Sequence, residues 1–86
     1  MAGQATEVWS PEFARSLDAL DPGSRRRVLE AIRDLGRRLD SFPHHRMQSC
    51  KSFRLRAGDH RVIYQFHNGE NTLLLVTVGH RREIYR

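Results

Sequence analysis

The feature that most limits the fold is a change of hydrophobic period part-way along the chain. Before Pro43 the apolar residues recur at helical spacing. Phe13, Leu17 and Leu20 stand at i, i+4 and i+7, and Val28, Ile32, Leu35 and Leu39 form a second stripe. After Pro43 the pattern alternates. Phe53-Arg54-Leu55-Arg56-Ala57 switches between apolar and basic at every residue, the period of a strand with one buried face. A helical stripe and a half-buried strand each hide one side only, so each half of the chain must cover the other.

The punctuation between these runs predicts the elements. Thr6 to Trp9 (TEVW) is short and β-prone and is expected to be a first strand. Ser10-Pro11 and Asp21-Pro22 each put a capping side chain before a proline at the first helical position. They predict two helices, the second from about Pro22 to Asp40, stopped by Phe42-Pro43. Gly58-Asp59 marks a turn, and His60 to His67 (HRVIYQFH) reads as a strand with Val62, Tyr64 and Phe66 on one face. Asn68-Gly69 is a strong hairpin signal. Thr72 to Val78 (TLLLVTV) is apolar enough for an interior strand covered on both faces. Gly79 is expected to break it, and Arg81 to Arg86 to close the chain as a short extended piece. The expected fold is α+β, with an N-terminal strand and a helical hairpin packed on one face of a twisted antiparallel sheet of about four strands. The 86 residues make a single domain, 1–86, with room for only a modest core.

Charge separates the two halves. Residues 1–43 carry seven Arg against seven acids, whereas residues 44–86 carry seven Arg and Lys51 against Asp59, Glu70 and Glu83. The excess behind the formal charge of +5, and all five His, therefore lie in the second half. Fourteen of the fifteen cations are Arg, whose flat fork matches phosphate oxygens better than the point charge of Lys. Such a balance points to a polyanion, with a basic surface kept for solubility as the plainer alternative. Cys50 is the only cysteine, which excludes a disulfide framework and a multi-cysteine zinc site. No run approaches the roughly 20 apolar residues of a membrane span and no secretory signal opens the sequence, so a cytoplasmic protein away from membranes is expected. His44-His45 are read as loop residues, and no metal or cofactor site is expected.

Alternation sends Arg54 and Arg56 to the face left open by the helices. Arg61 begins the neighbouring strand, Lys51 precedes the first of them, and Arg81, Arg82 and Tyr85 can return over the same region. Such a surface neutralises phosphates, and a tyrosine on it can stack on a base. It also suits metal-independent RNA cleavage, in which the ribose 2′-OH attacks its own phosphate. The protein then orients the ester, stabilises the charged phosphorane and moves two protons. Asp59, Glu70 and Glu83 are too few and too scattered to suggest a metal-dependent nuclease. By intrinsic pKa, His60 and His80 are the candidate acid and base. Plainer readings stand beside these. Arg81-Arg82 can be a solvated terminal pair and Tyr85 an aromatic at the core edge. Arg25-Arg26-Arg27 on the second helix can contact ribosomal RNA or the acidic groups of a protein partner, or be a solvated helix face.

The segment FRLRAGDHRVIYQF (Phe53 to Phe66), with the apolar strand after it and VGHRREIYR (Val78 to Arg86), resembles the RelE/ParE toxin superfamily, and within it the RelE side. WSPEFARSLDALDP and the Arg-rich second helix fit more loosely, and the resemblance runs from about Val8 to the end. It implies a toxin of a type II toxin–antitoxin module that enters the ribosomal A site and cleaves mRNA without a metal, leaving a 2′,3′-cyclic phosphate. It implies as partners a cognate antitoxin, the ribosome with its rRNA, mRNA, and operator DNA only through the antitoxin. Carried over by position, Arg61 matches the arginine that stabilises the scissile phosphate, Arg81 the arginine proposed as proton donor, and Tyr85 the tyrosine that orients the mRNA. Arg54 falls where the family places a lysine proposed as base or phosphate ligand; an arginine stays protonated, which leaves the phosphate role. A second family lysine is replaced by Ser52, with Lys51 one residue away and so expected on the other face. Arg56 and Arg82 complete the expected phosphate-binding set. Two alternatives remain open at this point: a ParE-like DNA gyrase inhibitor without a catalytic site, and a weakened toxin retained as a binding module.

Overall fold

The computed structural model describes residues 3–46 and 52–84. Lys51, Cys50 and Tyr85 lie outside the described residues. The chain runs β1 (Thr6–Trp9), α1 (Pro11–Asp18), α2 (Pro22–Arg37), β2 (His45–Arg46), β3 (Phe53–Ala57), β4 (His60–His67), β5 (Thr72–His80) and α3 (Arg81–Ile84). The sheet order is β1-β5-β4-β3-β2. The helical hairpin and the sheet are as the sequence predicts, with two differences in the strands. β1 joins β5 in parallel, pairing Thr6 with Thr72 through Trp9 with Leu75, so the sheet is mixed. β2 adds a two-residue edge that carries too little pattern to be read from sequence.

Both helices start as their caps direct. Ser10 Oγ accepts from the Phe13 N–H at 3.0 Å and donates to Val76 O at 2.6 Å, which fixes the start of α1 to β5. Asp21 Oδ2 accepts from the Ser24 N–H at 3.0 Å, and this hydrogen bonding holds its carboxyl below the ordinary aspartate value. Arg25 then ties the two helices together. Its Nη2 donates to Asp18 O at 3.1 Å and Leu20 O at 2.9 Å, where the carbonyls at the end of α1 lack helical partners. α2 stops at Arg37, short of the expected Asp40. The Arg38 N–H turns to Leu35 O, and Ser41 and Phe42 N–H both return to Arg38 O, which leads the chain into Pro43. Leu39 stays in the core although it has left the helix.

The core lies between the helices and one face of the sheet. Phe13, Leu17, Val28, Ile32 and Leu35 meet Leu55, Val62, Tyr64, Leu73, Leu75 and Val78. β5 is interior, but its other face (Leu74, Val76, Thr77) is only half-buried, less covered than its composition suggested. The segment after α2 closes the end of this core through His44. Its ring stacks on Phe66 at 4.0 Å between centroids, and Phe42, Phe53 and Tyr64 surround it. Nε2 donates to Leu39 O at 2.9 Å, because a carbonyl can only accept. In the neutral ring Nδ1 then accepts from the Tyr64 hydroxyl at 2.6 Å. Burial holds the Tyr64 phenol above its ordinary pKa.

The turns carry the remaining differences. Ala57 pairs with His60 across Gly58-Asp59, and Gly58 takes the positive φ of 63° that a tight two-residue hairpin needs. Asn68-Gly69 does lie in a hairpin, but in a four-residue loop. A 3₁₀ turn spans Asn68–Glu70, and the left-handed position falls on Asn71, φ 47°. Gly79 does not break β5, which continues to His80 in register with β4. The expected extended close at Arg81 is instead the single turn α3. Its start is set by His80, whose Nδ1 accepts from the Arg82 N–H at 3.2 Å as a capping side chain does.

Candidate nucleic-acid interface

Direct partners in an antiparallel ladder share a face and successive rows alternate, so the register assigns each predicted side chain to a side. Arg56, Arg61 and Gly79 form one row on the face away from the helices, and Arg54, Ile63 and Thr77 form the next. Leu55, Val62 and Val78 stand between these rows on the core side. The sheet therefore brings Arg54, Arg56 and Arg61 together, as the alternation predicts. Arg54 and Arg56 are exposed. Arg61 is not: it is 7% exposed, the one charged side chain buried among the described residues.

Arg61 is held from one end. Its Nη1 donates to Gly58 O at 3.0 Å and His60 O at 2.9 Å, the carbonyls of the β3–β4 turn. Among the described residues the ion pairs are Asp34 with Arg37 and with Arg38, at the far end of α2. No described carboxylate pairs with Arg61. A guanidinium kept out of water with carbonyls and no counter-charge is a costly arrangement that favours an incoming anion. The residue opposite it on β5 is Gly79, which contributes no side chain.

Arg81 and Arg82 reach the same end of the sheet by the main chain. The Arg81 N–H donates to Asp59 O at 2.9 Å, so α3 starts against the turn that holds Arg61, and both arginines are exposed. His60 and His80 are also at this end but on the other side, in the row Ala57–His60–His80 that faces the helices. Their rings meet edge to face at 5.9 Å. With Nδ1 engaged by Arg82, a neutral His80 carries its proton on Nε2. Ser52 Oγ accepts from Gln65 Nε2 at 3.2 Å. Among the described residues no three His, Cys, Asp or Glu side chains gather as a metal site would require. Nor is any helix long and apolar enough to cross a membrane.

The family model described as the ParE toxin of type II toxin–antitoxin system, parDE, matches residues 8–85. The chain belongs to the RelE/ParE toxin superfamily. It is 25% identical to a chain of the toxin–antitoxin complex RelBE2 from Mycobacterium tuberculosis, over 94% of its own length and 95% of the other's, with a TM-score of 0.76. A chain of the archaeal RelE–RelB complex from Pyrococcus horikoshii matches at 20% identity over 91% and 96%, TM-score 0.73. A free mutant of the E. coli toxin RelE matches at 13% over 95% and 90%, TM-score 0.75. No curated protein matches at the level of sequence. As a RelE/ParE toxin of the type II class, this chain keeps the family's helical hairpin on an open sheet and sets three arginines on the uncovered face.

The second helix carries a run that sequence reasoning singled out without separating its members. Of the run Arg25-Arg26-Arg27, the first is the inter-helix clip described above, whereas Arg27 lies across the β3–β4 turn. Its position next to Val28, on the flank of the buried stripe, is the signal that could have separated it from a fully solvated helix face.

Proposed function

We propose that this toxin is a ribosome-dependent endoribonuclease that cleaves mRNA in the ribosomal A site. The observation that carries the reading is Arg61, buried with no described carboxylate paired to it, on a face shared with Arg54 and Arg56. In the reaction the 2′-OH attacks the adjacent phosphorus, the bond to the 5′-oxygen breaks, and a 2′,3′-cyclic phosphate forms. One proton leaves the 2′-oxygen and one reaches the departing 5′-oxygen. Arg61 would hold the non-bridging oxygens as their charge grows, and Arg54, Arg56 and Arg82 would bind flanking phosphates. Arg81 would act on the leaving side and Tyr85 would orient a base. His60 and His80, the candidate acid and base by residue type, face the helix side of the sheet rather than Arg61, so the arginines carry this reading. The scheme needs no metal and no cofactor.

The partner proposed with this activity is a cognate antitoxin, since the RelBE2 and archaeal RelE–RelB structures are complexes with one. Binding of operator DNA would pass through that antitoxin, and action on ribosomes places the toxin in the cytoplasm. The ParE name of the family model favours a second reading, a DNA gyrase inhibitor built on the same fold. Expression of the toxin decides between them. Cuts within codons of ribosome-bound mRNA, mapped by primer extension and lost in Arg61→Ala, support the nuclease. Loss of supercoiling activity with intact mRNA supports the inhibitor. Tight antitoxin binding with no growth arrest would instead mark a toxin weakened by the replacements at Ser52 and Arg54.

A further inference from the structure

The turn between β3 and β4 gathers arginines from three elements. Gly58 O accepts from Arg61 of β4, and Asp59 O accepts from the main chain of Arg81 in α3. From α2, Arg27 lies over the same turn: a Cβ placed on Gly58 would stand 3.8 Å from Arg27 Cδ and 3.9 Å from its Nη1. Arg27 is exposed, and no described carboxylate is ion-paired with it. Beside it, on the helix side of the sheet, the half-exposed rings of His60 and His80 form an edge-to-face pair.

We infer that this hairpin end is a second RNA subsite, in which Arg27 binds a phosphate next to the one held by Arg61 and a flanking base rests on the His60–His80 pair. The inference rests on the nuclease reading above and adds the path of the substrate. Single-stranded RNA leaving the arginine face passes over a turn only two residues wide. Gly58 presents no side chain there, which permits close approach of a backbone. Asp59 is the one carboxylate in the turn, it is exposed, and no ion pair among the described residues joins it to Arg27, Arg61 or Arg81. An acidic peptide could answer the charge as well. The imidazole pair favours RNA, because unstacked bases use aromatic faces and carboxylates do not.

The test is binding of a short single-stranded RNA with 2′-O-methyl sugars, which cannot be cut by 2′-OH attack, measured over a range of salt concentrations. Arg27→Gln should lower the slope of log affinity against log salt by about 0.7, the value of one phosphate on a single strand, equally for unrelated sequences. His60→Ala/His80→Ala should weaken binding and leave the slope unchanged, and Arg26→Gln should change neither. An unchanged slope in Arg27→Gln, with a reduced slope in Arg61→Ala, overturns the subsite and leaves the nuclease reading standing. No slope change in either variant overturns both. Loss in Arg27→Gln of affinity for an acidic peptide but not for RNA overturns the subsite in favour of a protein contact.

Discussion

At the scale of single residues, Arg61 is in a position that stability alone does not explain. At 7% exposure its charge is answered by two turn carbonyls and by no described carboxylate. Replacing such a group by an apolar side chain of similar length is often neutral or stabilising. Arg61→Met should therefore keep the unfolding free energy within about 1 kcal/mol of the parent, or raise it. The proposed cleavage should fall by about 10²-fold or more, as when one charge-stabilising donor is removed. Denaturant titration beside primer extension checks both, and a loss of stability above about 2 kcal/mol would make Arg61 a structural residue. Tyr64 gives a prediction in pH. Its folded-state pKa is raised, so below the ordinary tyrosine value of about 10 both states keep the proton and stability is flat. Above that value the unfolded chain loses the proton while the folded chain holds it, and stability falls by about 1.4 kcal/mol per pH unit. Tyr64→Phe should remove this alkaline slope, at the cost of the hydrogen bond to His44 at neutral pH. The bond itself was not legible beforehand, because His44 and Tyr64 are twenty positions apart and neither belongs to a recognisable motif.

At the scale of elements, what could be read was what is local. Caps at Ser10 and Asp21, the stripe of Val28, Ile32 and Leu35, and the alternation of Phe53 to Ala57 each depend on neighbours within one or two turns. The structure differs where a distant partner decides. The direction of β1 is set by its ladder with β5, sixty-six positions away, and four residues hold no signal for parallel against antiparallel. α3 forms because Asp59 O takes the Arg81 N–H and His80 caps the turn, contacts made only once β4 and β5 are paired. Among the candidate site residues, Arg54, Arg56 and Arg61 were legible by the same alternation. The placement of His60 and His80 on the opposite side follows from register, which requires knowing where the hairpin turns. Two substitutions test element joints. Arg25→Ala removes the clip between α1 and α2 and should cost about 1.5–3 kcal/mol, the range for hydrogen bonds to a charged group, whereas Arg26→Ala should stay within about 0.5 kcal/mol. Gly58→Ala forces a Cβ onto a φ of 63° and should cost about 1 kcal/mol or more. Because the same turn holds Arg61 and Arg81, Gly58→Ala should also lower the proposed cleavage by more than its loss of stability explains. Equal cleavage in the two proteins, under conditions where both are folded, would show that the turn does not position them.

At the scale of the whole molecule, the two faces of the sheet have opposite tasks. One is covered by the helices and carries the core; the other carries Arg54, Arg56 and Arg61 on adjacent strands, like charges that repel one another within a cross-strand neighbourhood. The excess of the +5 charge lies in the same half of the chain, so the repulsion is concentrated rather than averaged over the surface. A small domain tolerates this only within a narrow margin of stability. A bound polyanion, which interacts with the folded face and not with a dispersed chain, should raise the thermal midpoint. The rise with a short 2′-O-methyl RNA should be large at about 50 mM salt and shrink steeply by about 200 mM as counterion release loses its advantage. In Arg56→Gln the midpoint without RNA should stay level or increase, since a repulsive neighbour is gone, and the RNA-dependent rise should become smaller and less sensitive to salt. Thermal melts of both proteins with and without RNA at the two salt concentrations measure this directly. An RNA-dependent rise equal in the two proteins would place the polyanion on another surface of the toxin.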